Sequence, residues 1–199
     1  MKYCVLRAAG PPWGDYGRIL THGMSAHRQR LGGIIQLERS GPFIPLITFP
    51  ASDVVVTDSF RGELERSGLS GASFQRIDKA HIVRIDWELW DRSLQMPPRV
   101  PPSAAREDYV LAAPHDPSAA LQLGTLWEIL ASVNGSGRRD RGSPKQSPKT
   151  SLLLESRDTP DFFRVKGPRY LFVTERARQW LETTAADWVA FEECEATYA

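Results

Sequence analysis

"VVVTDSFRGELERSGLSGASFQRI" (54–77) and "LFVTERARQWLETTAADWVAFEEC" (171–194) align without a gap at a constant offset of 117 residues. Six of the 24 aligned positions are identical: Val56/Val173, Thr57/Thr174, Arg61/Arg178, Leu64/Leu181, Glu65/Glu182 and Phe74/Phe191. Each copy opens on an apolar triplet suited to a buried strand. A Thr and an acid follow, Thr57-Asp58 and Thr174-Glu175. The hydroxyl caps the first helical N–H groups, and the carboxylate suits the positive end of the helix dipole. Phe60 and Leu64, or Ala177 and Leu181, then stand four apart on one helix face. Gly68 gives the first helix a left-handed stop, and "GASFQRI" or "WVAFEEC" closes each copy as a second strand. The expected fold class is α+β: two related strand–helix–strand units with mixed or antiparallel sheets and an additional helix.

Outward from the repeat, the N-terminal "MKYCVLRAAG" reads as a first β-strand and not as a signal peptide, whose apolar core would be about 7–15 residues long. "HIVRIDWELW" (81–90) alternates, with Val83, Ile85, Trp87 and Leu89 on one side and Arg84, Asp86 and Glu88 on the other. That pattern predicts a half-buried antiparallel strand with a charged outer face. The additional helix starts at a clear signal, Asp116 as cap and Pro117 in the first turn. It is expected to run through "SAALQLGTLWEILASV" (118–133) on an apolar stripe of Leu121, Leu126, Trp127 and Leu130. "NGSGRRDRGSPKQSPKTS" (134–151) has no apolar residue and is rich in Gly, Ser, Pro and basic side chains, which predicts a flexible loop. The chain therefore divides into 1–95 with the first unit, a Pro-rich connection and helix at 96–133, the basic loop at 134–151, and 152–199 with the second unit. These are expected as one domain or two tightly packed subdomains.

The balance of 25 basic and 24 acidic residues leaves a net charge of +1, which calls for neither nucleic acid nor a membrane surface. Cys4 and Cys194 admit a disulfide joining the termini or a pair of reduced, buried thiols, and the missing export signal favours the thiols and a cytoplasmic location. The four histidines, His22, His27, His81 and His115, lack metal-ligand spacing. No nucleophile elbow, phosphate loop or dinucleotide fingerprint occurs. The chain reads as a non-enzyme with no catalytic residue, cofactor or metal. Its candidate residues are partner-binding ones. Trp90 falls by parity on the charged face beside Asp86 and Glu88, where an exposed Trp can anchor an interface. Glu192, Glu193 and Glu195 give the closing strand an acidic edge that can attract a basic partner. The second reading is a nucleic-acid-associated or regulatory protein working through the basic residues of 138–149, although no aromatic residue is interleaved with them to stack bases.

The apolar strand, Thr-Asp/Glu, short helix and "GLSGASF" resemble the immunity proteins of bacterial polymorphic-toxin systems, in particular the immunity family numbered eleven and the double-CxxCG immunity proteins. "TPDFF" (159–163) and "PHDPSAALQLGTLWEIL" (114–130) are similar to further segments of those proteins. The CxxCG pairs are missing, so no metal is implied. The resemblance implies a non-catalytic cytoplasmic protein that neutralises a cognate toxin domain by stoichiometric occlusion. Neither a membrane nor a nucleic acid is an expected partner.

Overall fold

Thr57 Oγ1 accepts from the Phe60 amide and Thr174 Oγ1 from the Ala177 amide, both at 3.3 Å. Each hydroxyl thereby satisfies a first-turn N–H that a helix leaves unpaired. The computed structural model describes residues 2–25, 30–140 and 149–199. Its first strands are β1 (Tyr3–Ala8), β2 (Gln36–Gly41), β3 (Ile47–Thr48), β4 (Val55–Thr57), β5 (Ala72–Arg76) and β6 (Asp78–Arg84). The later ones are β7 (Leu126–Ala131), β8 (Val133–Asp140), β9 (Lys149–Leu154), β10 (Phe162–Lys166), β11 (Phe172–Thr174) and β12 (Val189–Tyr198). The helices are α1 (Gly14–His22), α2 (Asp58–Arg66), α3 (Asp108–Leu111), α4 (Pro117–Gln122) and α5 (Glu175–Thr184). The chain forms two units. The first comprises Met1–Ala8, Glu63–Ser73 and Ile129–Ala199, the second Ala9–Gly62 and Phe74–Glu128.

In the first unit six strands close into a barrel in the order β1-β11-β10-β8-β9-β12. β1 is antiparallel to both its neighbours, Tyr3 standing opposite Thr174 of β11 and Cys194 of β12. β8 and β10 run parallel, as do β9 and β12. The interior is filled by Tyr3, Val5, Leu152, Leu154, Phe163, Val165 and Phe172, as a barrel this narrow requires. Phe163 meets the Tyr3 ring edge-on at 5.5 Å and stacks on Phe172 at 5.6 Å.

This barrel overturns the α+β expectation. Strand outweighs helix 38% to 22% among the described residues. At 171–194 the local order is strand, helix, strand, yet β11 and β12 do not pair with each other; both flank β1. Strand and cap signals specify elements, whereas closure depends on partners that lie far apart in sequence. Asp161, in the "TPDFF" segment, is a hub within this unit. Its carboxylate accepts from the Ser70 amide at 2.9 Å, the Thr174 hydroxyl at 2.7 Å and Arg176 Nη1 at 3.2 Å.

Two further corrections concern 117–140. α4 begins as expected, with Asp116 accepting from the Ala119 amide at 2.9 Å. It ends at Gln122, and Gly124 turns the chain at φ 66°. What was expected to continue as helix is strand β7, in which Leu126, Glu128 and Ile129 are buried. The expected flexible loop contains all but the first residue of β8 and the start of β9; 141–148 lies outside the described residues. β8 hides from a periodicity reading because Gly135 lies in its bulge and its inward positions beyond the bulge are Gly137 and Arg139. A Cβ on Gly137 would stand 2.8 Å from Val165 Cγ2, so the barrel interior leaves no room there for an apolar side chain.

The second unit holds a parallel pair, β2 with β6, and a four-stranded sheet in the order β3-β4-β7-β5. The chain passes between units at the end of β1 and within α2, β5 and β7. One core cluster gathers Ile35, Leu37, Val55, Ile77 and Leu126. Glu128, buried on β7, is held by Arg30 through a two-pronged pair at 2.8 and 2.9 Å, the geometry that best offsets burial of a carboxylate.

Both cysteines are free thiols. Cys194 shares the barrel-facing side with its partner Tyr3, so Cys4, one residue on, faces the other side of the strand. Burial raises both thiols, Cys194 to about 12.

Candidate protein-binding surface

β6 ends at Arg84, so Asp86, Glu88 and Trp90 of the charged face expected at 81–90 lie beyond the strand. Asp86, with φ −88° and ψ 58°, leaves the extended conformation, and Trp87–Leu89 forms a single 3₁₀ turn. The side-chain period changes from two to three. Trp87 and Trp90 consequently turn to the same side, and Leu89 turns out. Trp87 is buried with its ring edge-on to Phe43 at 5.5 Å. Trp90 is half-buried, 6.0 Å from Trp13 and 6.2 Å from Tyr109. The expectation of an exposed Trp on a charged strand face is therefore corrected: Trp90 forms one wall of an aromatic cluster.

The chain after this turn is pinned by phenol hydroxyls. Tyr109 donates to the Pro98 carbonyl at 2.9 Å, and Tyr16 to the Ala104 carbonyl at 2.6 Å. Between turn and loop lies a hollow of about 330 Å³, lined by Arg84, Asp86, Trp90, Arg99 and Tyr109 among others. Arg84 is paired with Asp116 at 2.9 Å. Arg99 holds a left-handed φ of 59°, which costs a non-glycine residue roughly 1–2 kcal/mol and is the kind of strain that collects at working sites. Along the same segment Leu89 is 81% exposed, Leu94 48% and Met96 46%. Leu89 was expected on the buried side of the strand and is instead the most exposed of the three, while Leu94 and Met96 were missed in the sequence. The only signal for Leu94 and Met96 is that they stand against prolines at 94–98.

Of the residues expected to bind a partner, Asp86 is exposed at the hollow, while Glu88 is half-buried with Oε2 unpaired inside. The other three lie on β12 in the first unit and do not share a face. Glu192 points into the end of the barrel. There it accepts from Arg139 Nη1 at 2.8 Å, from Arg7 Nη2 at 3.1 Å and from the Thr150 hydroxyl at 3.1 Å. The Tyr170 ring lies 3.9 Å from the Arg7 guanidinium and 5.3 Å from that of Arg139. Glu193 and Glu195 face outward, with only long ion pairs, 3.6 Å to Arg178 and 3.4 Å to Lys149.

The basic residues of 138–149 are largely engaged as well. Arg139 is committed to Glu192, Arg138 pairs with Asp140 at 3.0 Å, and Lys149 with Glu195. Arg141 and Lys145 lie outside the described residues. Among the described residues no group of three or more His, Cys, Asp or Glu is placed to hold a metal, and no helix is long and apolar enough to cross a membrane.

Of the histidines, His115 Nδ1 accepts from the Ile82 amide at 2.9 Å, and His81 Nε2 lies 3.0 Å from the Val110 and Ala113 carbonyls. His27 lies outside the described residues. His22 is buried on α1, edge-on to Phe49 at 5.6 Å. Burial pushes its pKa down to about 3, and the charges of Arg39 and Arg18 add to the shift. The folded value lies below the unfolded one, so the neutral ring contributes stability above pH about 6.5 that drains away as the pH falls towards 3. Between pH 8 and pH 5 the loss comes to roughly 2 kcal/mol. Urea unfolding across that range, before most carboxylates titrate, measures it. His22→Leu is expected to flatten the profile, and an unchanged slope would remove His22 as its source.

Compared with known proteins, the chain matches no protein-family model and no curated protein.

Proposed function

We propose that this chain is an immunity protein that binds a cognate protein toxin domain and neutralises it by stoichiometric occlusion. The observation that carries the reading is the 86–99 segment. Leu89, Leu94 and Met96 expose apolar side chains within eight residues, beside an aromatic-walled hollow. A single exposed Leu is ordinary; three exposed apolar residues on the segment that also supplies Trp90, Pro98 and Arg99 to a preformed hollow have the composition of a protein-docking surface. Trp90, braced by Trp13 and Tyr109, supplies a rigid aromatic wall of the kind that dominates binding energy. The resemblance of "TPDFF" and the repeated units to immunity proteins supplies the partner class. In this reading Asp86 and Trp90 belong to the surface, Leu89, Leu94 and Met96 join them, and Glu193 and Glu195 form a separate, steering patch.

The test is protection. The chain is co-expressed in a bacterial host with the toxin domain encoded beside it, and growth and complex formation are followed. Leu89→Asp leaves the fold intact because the side chain is already in water. It is expected to weaken the complex by about 2 kcal/mol, roughly thirtyfold. Glu193→Lys with Glu195→Lys should slow association at low salt and leave dissociation nearly unchanged. A chain that gives no protection sinks the function, and protection indifferent to Leu89→Asp moves the interface elsewhere. The nucleic-acid reading loses ground because Arg138, Arg139 and Lys149 are each paired with an acid.

A further inference from the structure

Arg39, on β2 in the second unit, is wholly buried. Its Nε donates to the Ser40 carbonyl at 2.7 Å and its Nη2 to the Phe43 carbonyl at 3.1 Å, while Nη1 has no partner. No carboxylate forms an ion pair with it among the described residues. A guanidinium in that position is among the most costly groups to bury, because neutral carbonyls satisfy its hydrogens without cancelling its charge.

The groups around Arg39 are short of acceptors too. Trp87 Nε1 and Trp13 Nε1 are buried without a partner in one aromatic cluster. Trp87 packs on Phe43, the residue whose carbonyl takes Arg39 Nη2. The Thr21 hydroxyl is likewise unpaired on α1, next to Leu20, whose carbonyl accepts from Ser40 of β2 at 2.7 Å. His22 is also close enough for the Arg39 charge to lower its pKa, and its one polar contact is with the Ala9 backbone. Every one of these groups can donate. Leaving them unmatched costs about 1–3 kcal/mol each. Water would satisfy the donors but leave the charge uncompensated.

A hollow of about 180 Å³ comes close to this cluster. It is lined by Arg18, Ile19, Gly23, Phe49 and Glu107 among others. Phe49 is the ring that meets His22, and a Cβ on Gly23 would stand 2.7 Å from Arg39 Cβ. Gly23, which lines the hollow, therefore lies against the base of the Arg39 side chain, and one cation, Arg18, and one acid, Glu107, line the same hollow.

We propose that Arg39 Nη1 and the unpaired donors around it form a buried site for one small inorganic anion of the halide class, which completes the core of the second unit. This goes beyond the partner-binding reading and does not depend on it. The size class follows from the enclosure: Arg39 is fully shielded, so a monatomic ion asks far less opening of the core than an organic carboxylate would.

The experiment uses the whole chain. Thermal unfolding is followed in sodium chloride, sodium bromide and sodium gluconate at equal ionic strength, and crystals grown with bromide are examined by anomalous diffraction. The expected result is a midpoint several degrees higher in chloride and bromide than in gluconate, rising and then saturating with halide concentration, roughly 3–5 °C at ten times the dissociation constant. An anomalous peak is expected within hydrogen-bonding reach of Arg39 Nη1. Arg39→Met, apolar and of similar length, should abolish the halide dependence. If that variant does not fold, the bromide peak in the native protein decides alone. Equal midpoints in all three salts, or water and no anomalous density at Nη1, overturns the proposal.

Discussion

Gly135→Ala is expected to cost on the order of 4 kcal/mol, much of the stability of a typical domain. Two effects add. The residue holds φ 89°, where a side chain costs roughly 1–2 kcal/mol. A Cβ would also stand 2.1 Å from the Leu153 carbonyl oxygen and 2.9 Å from Leu154 Cα. These are backbone atoms of β9, so no rotamer relieves the clash and the strands must part; overpacking of this kind costs about 1–3 kcal/mol. Gly124→Ala is the internal control, with φ 66° and nothing within 4 Å of the new Cβ. It should lose only about 1 kcal/mol. Urea unfolding of both variants measures the difference, and equal losses would mean that β8 does not approach β9 as closely as described.

Glu192→Ala is expected to lose roughly 3 kcal/mol, because it strands two guanidiniums at the barrel end instead of removing a surface charge. The wild-type carboxyl is pulled two ways. Burial pushes its pKa up, but hydrogen bonds and charge from Arg139 and Arg7 outweigh burial and hold it below the ordinary range. The folded value is the lower one, so the stabilisation is fully present above about pH 4.3 and is lost as the pH falls below that. Glu192→Gln keeps an acceptor while removing the charge, and should lose about half as much. Denaturant midpoints at pH 7 and pH 4 provide the check: the gap between wild type and Glu192→Ala should narrow at the lower pH, and a constant gap would contradict the ion-pair account.

The reading of the sequence succeeds where the physics is local. Thr174 caps α5, Asp116 caps α4, and Pro117 stands in the first turn, all within four residues of their partners. It fails where one position answers to a distant strand. Leu126, Trp127 and Leu130 fit a helical stripe, but Glu128 between them is the buried ligand of Arg30, 98 residues away. Glu192 shows the same limit at the candidate site. Composition makes it one of three acids in a row of four, and only the pairing of β12 with β1 separates it, facing inward, from Glu193 and Glu195. Trp90 is misread for a different reason: one 3₁₀ turn after Asp86 resets the phase of the side chains, and alternation carries no sign of it.

The barrel also sets an order in time. β1 is made before the other described strands, yet both strands that hydrogen-bond to it, β11 and β12, are made after residue 171. The whole second unit is synthesised by Glu128, so its contacts are available while β1 still waits with both edges open. A nascent chain that stalls before Phe172 carries all residues of the second unit and β8, β9 and β10 of the first, but neither partner of β1. Long-range closure of this kind is slow, and it makes the segment from Phe172 onward, about a seventh of the chain, the part that decides whether β1 is paired at all.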